Sequence, residues 1–282
     1  MHSAQFGFID PDDSLNSLSI PEVCAALEIE ARTGHRANFD RYQGVNSIFD
    51  SIRPNLRIFD DGYVDQCSHK YYFDLFNIVR GAFGEISRIV EVGVFMGGAS
   101  SVLAGCAQCF SCELDLVDVS GKYLRFAYER IRRCFPGDLN VRLFRGDLPT
   151  YVRDVLLKEQ NVKAFIQHDG SHAFNQVVLD LSALYFAREK IHSLAIQDTH
   201  LRGKPEKFAF VDAAVHAVFG QDMQFQNIGT TYAENDLVMT SPNQREGGYF
   251  LPNVFEGMYI PFGLNTFKYP HPSTPMEALF FK

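Results

Sequence analysis

The stretch Arg88-Ile-Val-Glu-Val-Gly-Val-Phe-Met-Gly-Gly98 decides the fold class of this 282-residue chain. A strand-like run ends at Gly93, and a glycine-rich turn follows it. Glycine lets a turn bring backbone N–H groups close to a ligand because it carries no side chain. A dinucleotide fingerprint needs Gly-x-Gly-x-x-Gly, but Phe95 occupies the second glycine position, which counts against NAD or FAD. The stretch indicates either a plain strand–helix turn or a site for another ligand.

Strand-like runs recur after this turn and alternate with helical patterns. The predicted strands cover 88–93, 114–119, 141–144, 163–167 and 192–197. Residues 122–131 follow the second strand and have the spacing of an amphipathic helix. This alternation predicts an α/β fold with a parallel sheet that is covered by helices on both faces.

The pattern changes near the end of the predicted sheet. Residues 223–228 and 236–240 are both strand-like, and fewer than about ten residues separate them. A gap of this length is too short for a parallel crossover, so we expect the two strands to pair antiparallel. The sequence therefore predicts a mostly parallel sheet with a reversed last strand.

Charge and hydropathy exclude several classes of partner. The formal net charge is −8 and no long basic run is present, so the electrostatic footprint of a nucleic-acid or membrane-surface protein is missing. The first residues do not resemble a signal peptide, and the apolar runs are too short to cross a bilayer. We expect a soluble, cytoplasmic protein without a nucleic-acid or membrane partner.

Three of the six cysteines, Cys106, Cys109 and Cys112, have a spacing similar to an iron–sulfur motif. That motif needs its fourth cysteine three residues later and next to proline. Here the fourth is Cys134, with a phenylalanine between it and the proline. Small buried cysteines near a helix end explain the same residues.

Acidic residues follow the second to fifth predicted strands, and they are Asp118, Asp147, Asp169 and Asp198. Ligands of open parallel sheets bind outside the carboxyl ends of the strands. Each acid alone could cap a helix or lie in a solvated loop. Four of them along one edge indicate a site, and a carboxylate after the second strand can accept both hydroxyls of a ribose.

Two elements narrow the interpretation, Phe165-Ile-Gln-His-Asp-Gly-Ser-His172 and Ala195-Ile-Gln-Asp-Thr-His200. Together with Glu91-x-Gly-x-x-x-Gly97 they resemble class I S-adenosylmethionine-dependent methyltransferases. More narrowly, they are similar to the branch of macrocin-type sugar O-methyltransferases and cephalosporin hydroxylase-like proteins. The resemblance covers about residues 70–241. It implies a Rossmann-like seven-stranded sheet with an antiparallel last strand.

The resemblance also implies roles for individual residues. Gly93 and Gly97 would run under the methionyl part of S-adenosylmethionine, with Glu91 in support. Asp118 would hold the ribose hydroxyls, and Asp147 or its neighbours would lie at the adenine.

A magnesium site is implied at the ends of the fourth and fifth strands. Asp169, which would also contact the cofactor, and Asp198 match the magnesium ligands of metal-dependent relatives. His172 matches the place of the general base, so it would take the proton of the acceptor hydroxyl. Gln197 and Thr199 stand where relatives have an acid or an asparagine, so a third strong ligand is missing.

The chain divides into three predicted segments. Residues 1–70 form an N-terminal extension, 71–241 the cofactor-binding domain, and 242–282 an aromatic, Gly- and Pro-rich tail packed on it. The predicted function is O-methyl transfer to a hydroxyl of a small molecule or carbohydrate. The alternatives are a non-catalytic module with a methyltransferase fold and an NAD-type oxidoreductase. The apolar flanks favour a homo-oligomer. The sequence assigns no role to His168 or His200.

Overall fold

A computed structural model describes residues 6–30, 39–56, 67–137, 140–203, 209–231 and 249–279. The helices are α1 (Ile20–Ala26), α2 (Ser47–Leu56), α3 (His69–Gly81), α4 (Gly98–Phe110), α5 (Gly121–Cys134), α6 (Leu148–Tyr151), α7 (Phe174–Leu184) and α8 (Val211–Phe219). The strands are β1 (Gly7–Ile9), β2 (Arg88–Val92), β3 (Glu113–Asp118), β4 (Val141–Arg145), β5 (Ala164–His168), β6 (Ile191–Gln197), β7 (Leu201–Arg202), β8 (Gln226–Thr231), β9 (Tyr249–Phe250) and β10 (Phe255–Pro261). Within the described ranges no helix has the length and apolar character that a membrane span needs.

The main sheet contains eight of these strands, in the order β1-β4-β3-β2-β5-β6-β10-β8. Strands β2 to β6 are mutually parallel, as predicted from their alternation with helices. Strand β10 runs antiparallel between β6 and β8, and β1 pairs antiparallel with β4 at the other edge. The predicted fold class is confirmed, with one more strand among the described residues than the seven expected.

The antiparallel strand comes from a later part of the chain than expected. The predicted strand at 236–240 lies outside the described residues. Strand β8 pairs instead with β10, where Tyr259 lies opposite Gln226 and also opposite Ala195 of β6. The ranges 1–70 and 242–282 therefore each supply a strand to the main sheet.

Helices cover both faces of the sheet. Side chains alternate along a strand, so Ile89 packs with α1–α5 on one face while Val90 packs with α6–α8 on the other. This double cover explains why each of the strands β2–β6 has apolar residues on both of its faces. Cys106 and Cys112 are buried in the first of these cores, in agreement with the packing interpretation of the cysteines.

A buried ionic network joins β2, β3 and β4. The fully buried Asp115 accepts hydrogen bonds from Arg142 Nε at 2.7 Å and from the Tyr151 hydroxyl. Arg88 Nε lies 3.5 Å from the same carboxylate, and Arg88 also pairs with Glu159. Because its polar atoms are paired across three strands, this network fixes their relative register.

Replacing Asp115 by alanine leaves the buried Tyr151 hydroxyl without this acceptor and removes the fully buried carboxylate that faces Arg88 and Arg142, although both arginines keep Glu159. We expect Asp115→Ala to lower the free energy of unfolding by about 3–5 kcal/mol, the usual cost of breaking a buried pair. Asp154→Ala removes a surface ion pair with Arg153, and it should cost less than about 1 kcal/mol. Urea denaturation of both variants checks the difference. Equal losses would contradict a structural role for the network.

Candidate active site

The turn after β2 passes very close to the loop after β5. Gly93 has a φ of 82°, and a Cβ atom placed on it would lie 2.1 Å from the carbonyl oxygen of Asp169. The Gly93 N–H donates to Val117 O at 2.8 Å, which holds the turn against β3 as well. Gly93 is therefore required both by backbone conformation and by space.

Gly97 and Phe95 complete this turn in different ways. Gly97 has a φ of 74° and lies where a Cβ would be 3.0 Å from Ala127 Cα, so it lets α4 approach α5. Phe95 has a φ of 42°, and its ring centroid lies 5.3 Å from that of Tyr123. Gly97 thus serves helix packing in this structure, while Phe95 is part of a cavity wall.

Asp118 is tied to the turn that it faces. Its Oδ2 accepts from Val94 N at 3.0 Å and its Oδ1 accepts from Ser120 N at 2.7 Å. Burial raises the pKa of Asp118 although these backbone hydrogen bonds oppose the shift. Phe95 N–H also donates to this carboxylate, whose two oxygens offer about four acceptor positions in all, so Asp118 can still accept from a ligand hydroxyl.

Glu91 is a buried acid in the wall of the same cavity. Glu91 is only 1% exposed, and its Oε2 atom has no hydrogen-bond partner among the described residues. Burial raises the pKa of Glu91 well above its usual range. A buried polar atom without a partner is costly, so a cationic ligand group at this point would be stabilising.

Asp147 caps the short helix that follows β4. Its Oδ1 accepts from Thr150 N at 2.9 Å, and the neighbouring Gly146 N donates to the backbone oxygen of Asp118 at 2.9 Å. Asp147 is thus a helix cap and also a wall residue. Capping uses one of its oxygens and leaves the other for a ligand.

These residues surround a cavity of about 820 Å³ at the carboxyl edge of the sheet. It lies where the strand order reverses, since β2 has β3 on one side and β5 on the other. Six predicted site residues line it, and they are Glu91, Gly93, Asp118, Asp147, Asp169 and His172. Tyr72 lines it too, and so does Cys67, which the sequence pattern did not indicate. The volume suits a ligand of nucleoside size or larger.

A cluster of three ligating side chains lies beside the cavity. His172 Nε2 is 2.9 Å from Asp198 Oδ2 and 3.7 Å from Asp169 Oδ1. One potential ligand atom from each of the three residues lies within 4.8 Å of the others, a spacing that could hold a metal ion. The two acids that follow β5 and β6 are therefore brought together as the sequence predicts.

The pKa values of Asp169 and Asp198 are shifted in opposite directions. Burial raises the pKa of Asp169 to about 6, although its hydrogen bond from His172 opposes the shift. Burial would also raise the pKa of Asp198, but the charge and hydrogen bond of His172 outweigh it, and the pKa is lowered. Asp198 also adopts a φ of 60°, a strained conformation typical of functional sites.

The residues that flank Asp198 have other partners. Gln197 is 3% exposed, and with its amide nitrogen facing Asp169 it donates to that carboxylate. Thr199 donates its hydroxyl to Phe255 O at 2.8 Å, away from the cluster. His200 Nδ1 lies 4.0 Å from Asp198 Oδ1, and the ring packs on Phe250. Gln197 therefore orients Asp169.

The sequence pattern did not predict a set of hydrogen-bonded polar side chains at the cavity. His168 and Asp180 are both buried, with His168 Nε2 3.0 Å from Asp180 Oδ2. Gln176 Nε2 donates to Asp180 Oδ1 at 2.8 Å, and both α7 residues line the cavity. The signal in the sequence was a polar pair four residues apart on a helix whose other face is apolar.

Comparison with solved structures finds proteins of similar architecture. CalS11, a calicheamicin methyltransferase, aligns with a TM-score of 0.50 over 90% of this chain and 98% of its own, at 13% identity. Cofactor-bound Rv0187 from MTB aligns at 0.48 over 86% and 96%, at 11% identity. An O-methyltransferase from Bacillus cereus in complex with SAH aligns at 0.45 over 80% and 97%, at 13% identity. No protein-family model and no curated protein matches the sequence.

The alignment with CalS11 shows that this chain has a methyltransferase fold. The Rossmann-like methyltransferase architecture that the sequence motifs predicted is thereby confirmed. The roles of the individual site residues stay predictions.

The close contact at Gly93 can be tested by comparing an alanine substitution there with one at Gly84. Gly84 has a similar φ of 81°, but a Cβ atom placed on it would meet no atom within 4 Å. We expect Gly84→Ala to lower the free energy of unfolding by about 1–2 kcal/mol, the cost of the left-handed conformation. Gly93→Ala adds a backbone clash and should cost about 2 kcal/mol more. Thermal and urea unfolding measure both, and equal losses would contradict the close approach.

Proposed function

We propose that this protein is an S-adenosylmethionine-dependent O-methyltransferase that acts on a hydroxyl group of a small molecule or carbohydrate. The observation that carries the proposal is the arrangement of Glu91, Gly93 and Asp118 around one cavity at the reversal point of the sheet. The similarity in fold to a calicheamicin methyltransferase supports a role in methyl transfer, including transfer to a natural product.

The polar groups of the cavity suit the methyl donor. The buried Glu91 carboxylate would face the methionyl ammonium group, beside the Gly93 turn. Asp118 would bind the ribose hydroxyls with the acceptor capacity that its backbone hydrogen bonds leave. Asp147 and its neighbours would lie at the adenine, and Asp169 would border the methionyl side. When bound, S-adenosylmethionine would offer a methyl group on a sulfonium, with S-adenosylhomocysteine as the leaving group.

His172 would act as the general base. Its Nε2 lies between the carboxylates of Asp169 and Asp198, which would stabilise the imidazolium formed when it accepts the hydroxyl proton. Asp169 and Asp198 provide hard oxygen ligands of the kind that magnesium prefers. A magnesium ion bound there would lower the pKa of the acceptor hydroxyl. Gln197 would keep Asp169 in the orientation that this requires.

Titration calorimetry with S-adenosylhomocysteine tests the cofactor site. We expect binding by the wild-type chain, and Asp118→Ala should weaken it about 10- to 100-fold, since hydrogen bonds to a charged group are lost. The matched control Asp154→Ala, on the surface, should bind like wild type. A wild-type chain that binds NADH instead would favour the oxidoreductase alternative. Binding of neither ligand would contradict the proposal and favour a scaffold.

The metal site makes a separate prediction because Asp198 is not among the described residues that line the cavity. We expect Asp198→Asn to weaken Mg²⁺ binding at least about tenfold, since an amide is a poorer ligand than a carboxylate. Its affinity for S-adenosylhomocysteine should stay within about twofold of wild type. Displacement of Mn²⁺, followed by electron paramagnetic resonance, measures Mg²⁺ binding. Asp212→Asn is the control, and unchanged Mg²⁺ affinity in Asp198→Asn would exclude this site.

A further inference from the structure

A row of three hydrogen-bonded side chains connects β5 to the cavity wall. His168, at the end of β5, contacts Asp180, and Asp180 in turn accepts from the Gln176 amide. His168 is 2% exposed and Asp180 is 4% exposed, while Gln176 is half-buried at the cavity. Methyl transfer and metal binding as proposed above use none of these three residues.

Packing alone does not explain this row. A buried carboxylate–imidazole pair is often no more stable than apolar residues of similar volume, because both groups lose their hydration. Other buried positions of the same helix are apolar, among them Val177, Leu181 and Leu184. The polar side chains occur where α7 borders the cavity, which indicates that they face a ligand.

The position of the row within the cavity depends on the proposed function. Glu91 would take the methionyl ammonium group and Asp118 the ribose, so the adenine would lie at the remaining end. That end contains Leu148 of α6, and α6 packs against α7. The adenine ring would therefore lie within reach of Gln176.

The chemistry of Gln176 matches an adenine edge. A primary amide presents a donor and an acceptor side by side, and adenine presents its 6-amino donor beside a ring-nitrogen acceptor. Asp180 accepts one N–H of the Gln176 amide, and this hydrogen bond fixes the position of the amide nitrogen. The Gln176 Oε1 and its second N–H remain for a ligand. His168 holds Asp180 through the other carboxylate oxygen.

We propose that Gln176 recognises the 6-amino edge of the cofactor's adenine, and that Asp180, held by His168, orients the Gln176 amide. Gln176 is then a specificity-determining residue that distinguishes adenine from a 6-oxopurine. Asp180 and His168 are positioning residues. A 6-oxopurine has a carbonyl oxygen where adenine has its amino group. This oxygen and Gln176 Oε1 are both acceptors, so they would repel each other.

Calorimetric titration of the full chain with S-adenosylhomocysteine and with S-inosylhomocysteine tests this inference. We expect wild type to prefer the adenosyl ligand about 10- to 100-fold, the discrimination of one bidentate amide contact. Gln176→Leu should weaken adenosyl binding by a similar factor and leave inosyl binding within about twofold, which removes the preference. Gln160→Leu, an exposed glutamine outside the cavity wall, is the matched control and should keep it.

A second variant separates orientation from packing. Asp180→Asn supplies an amide that can donate to Gln176 Oε1, so Gln176 can invert and the preference for the adenosyl ligand should narrow at least about fivefold. Thermal unfolding verifies that each variant is folded. Equal weakening of both ligands by Gln176→Leu, or an unchanged preference, would overturn the inference. A wild-type chain that binds neither ligand would overturn the proposed function itself.

Discussion

The close approach between the turn after β2 and the loop after β5 is the constraint on which the rest of the site depends. Only a hydrogen atom at Gly93 leaves room for the carbonyl of Asp169. The same contact brings the Gly93 turn, which lies next to Asp118, beside Asp169, which belongs to the cluster with His172 and Asp198. A single backbone contact therefore joins the region proposed for the cofactor to the region proposed for proton transfer.

The flanking ranges are built into this arrangement. Glu256 of β10 accepts from Ser68 N at 3.2 Å and from Thr230 N at 3.1 Å, so it joins the start of α3 to two strands. Burial raises the pKa of Glu256 to about 7. Next to Ser68, Cys67 forms part of the cavity wall. The outer parts of the chain thus contribute to the shape of the cavity that they enclose.

Much of the sheet was predictable because its parallel strands are buried on both faces. Such strands form short apolar runs, and the polar residues that end them, such as Asp118 and Asp169, mark the carboxyl edge. Strand β10 was not predictable in the same way. It contains Glu256 and Gly257, which interrupt the apolar pattern, and its partner β8 lies well before it in the chain. A nearer strand-like run at 236–240 fitted the rule for short connections.

The candidate site was predictable only where the side chains follow strand ends directly. Gln197 occupies the position of an expected acid, and only the fold brings its amide against the Asp169 carboxylate. Gln176 and Asp180 resemble a polar helix face in sequence, because nothing local indicates that α7 borders the cavity there. Their environment is set by packing between α6 and α7, which sequence spacing does not encode.

The most direct test of this account is a crystal structure of the protein with S-adenosylhomocysteine. The account predicts the nucleoside in the cavity, with its ribose hydroxyls on Asp118, its ammonium group towards Glu91 and its adenine beside Leu148. A cavity without the ligand at saturating concentration would contradict the account, and so would a ligand bound in the opposite direction.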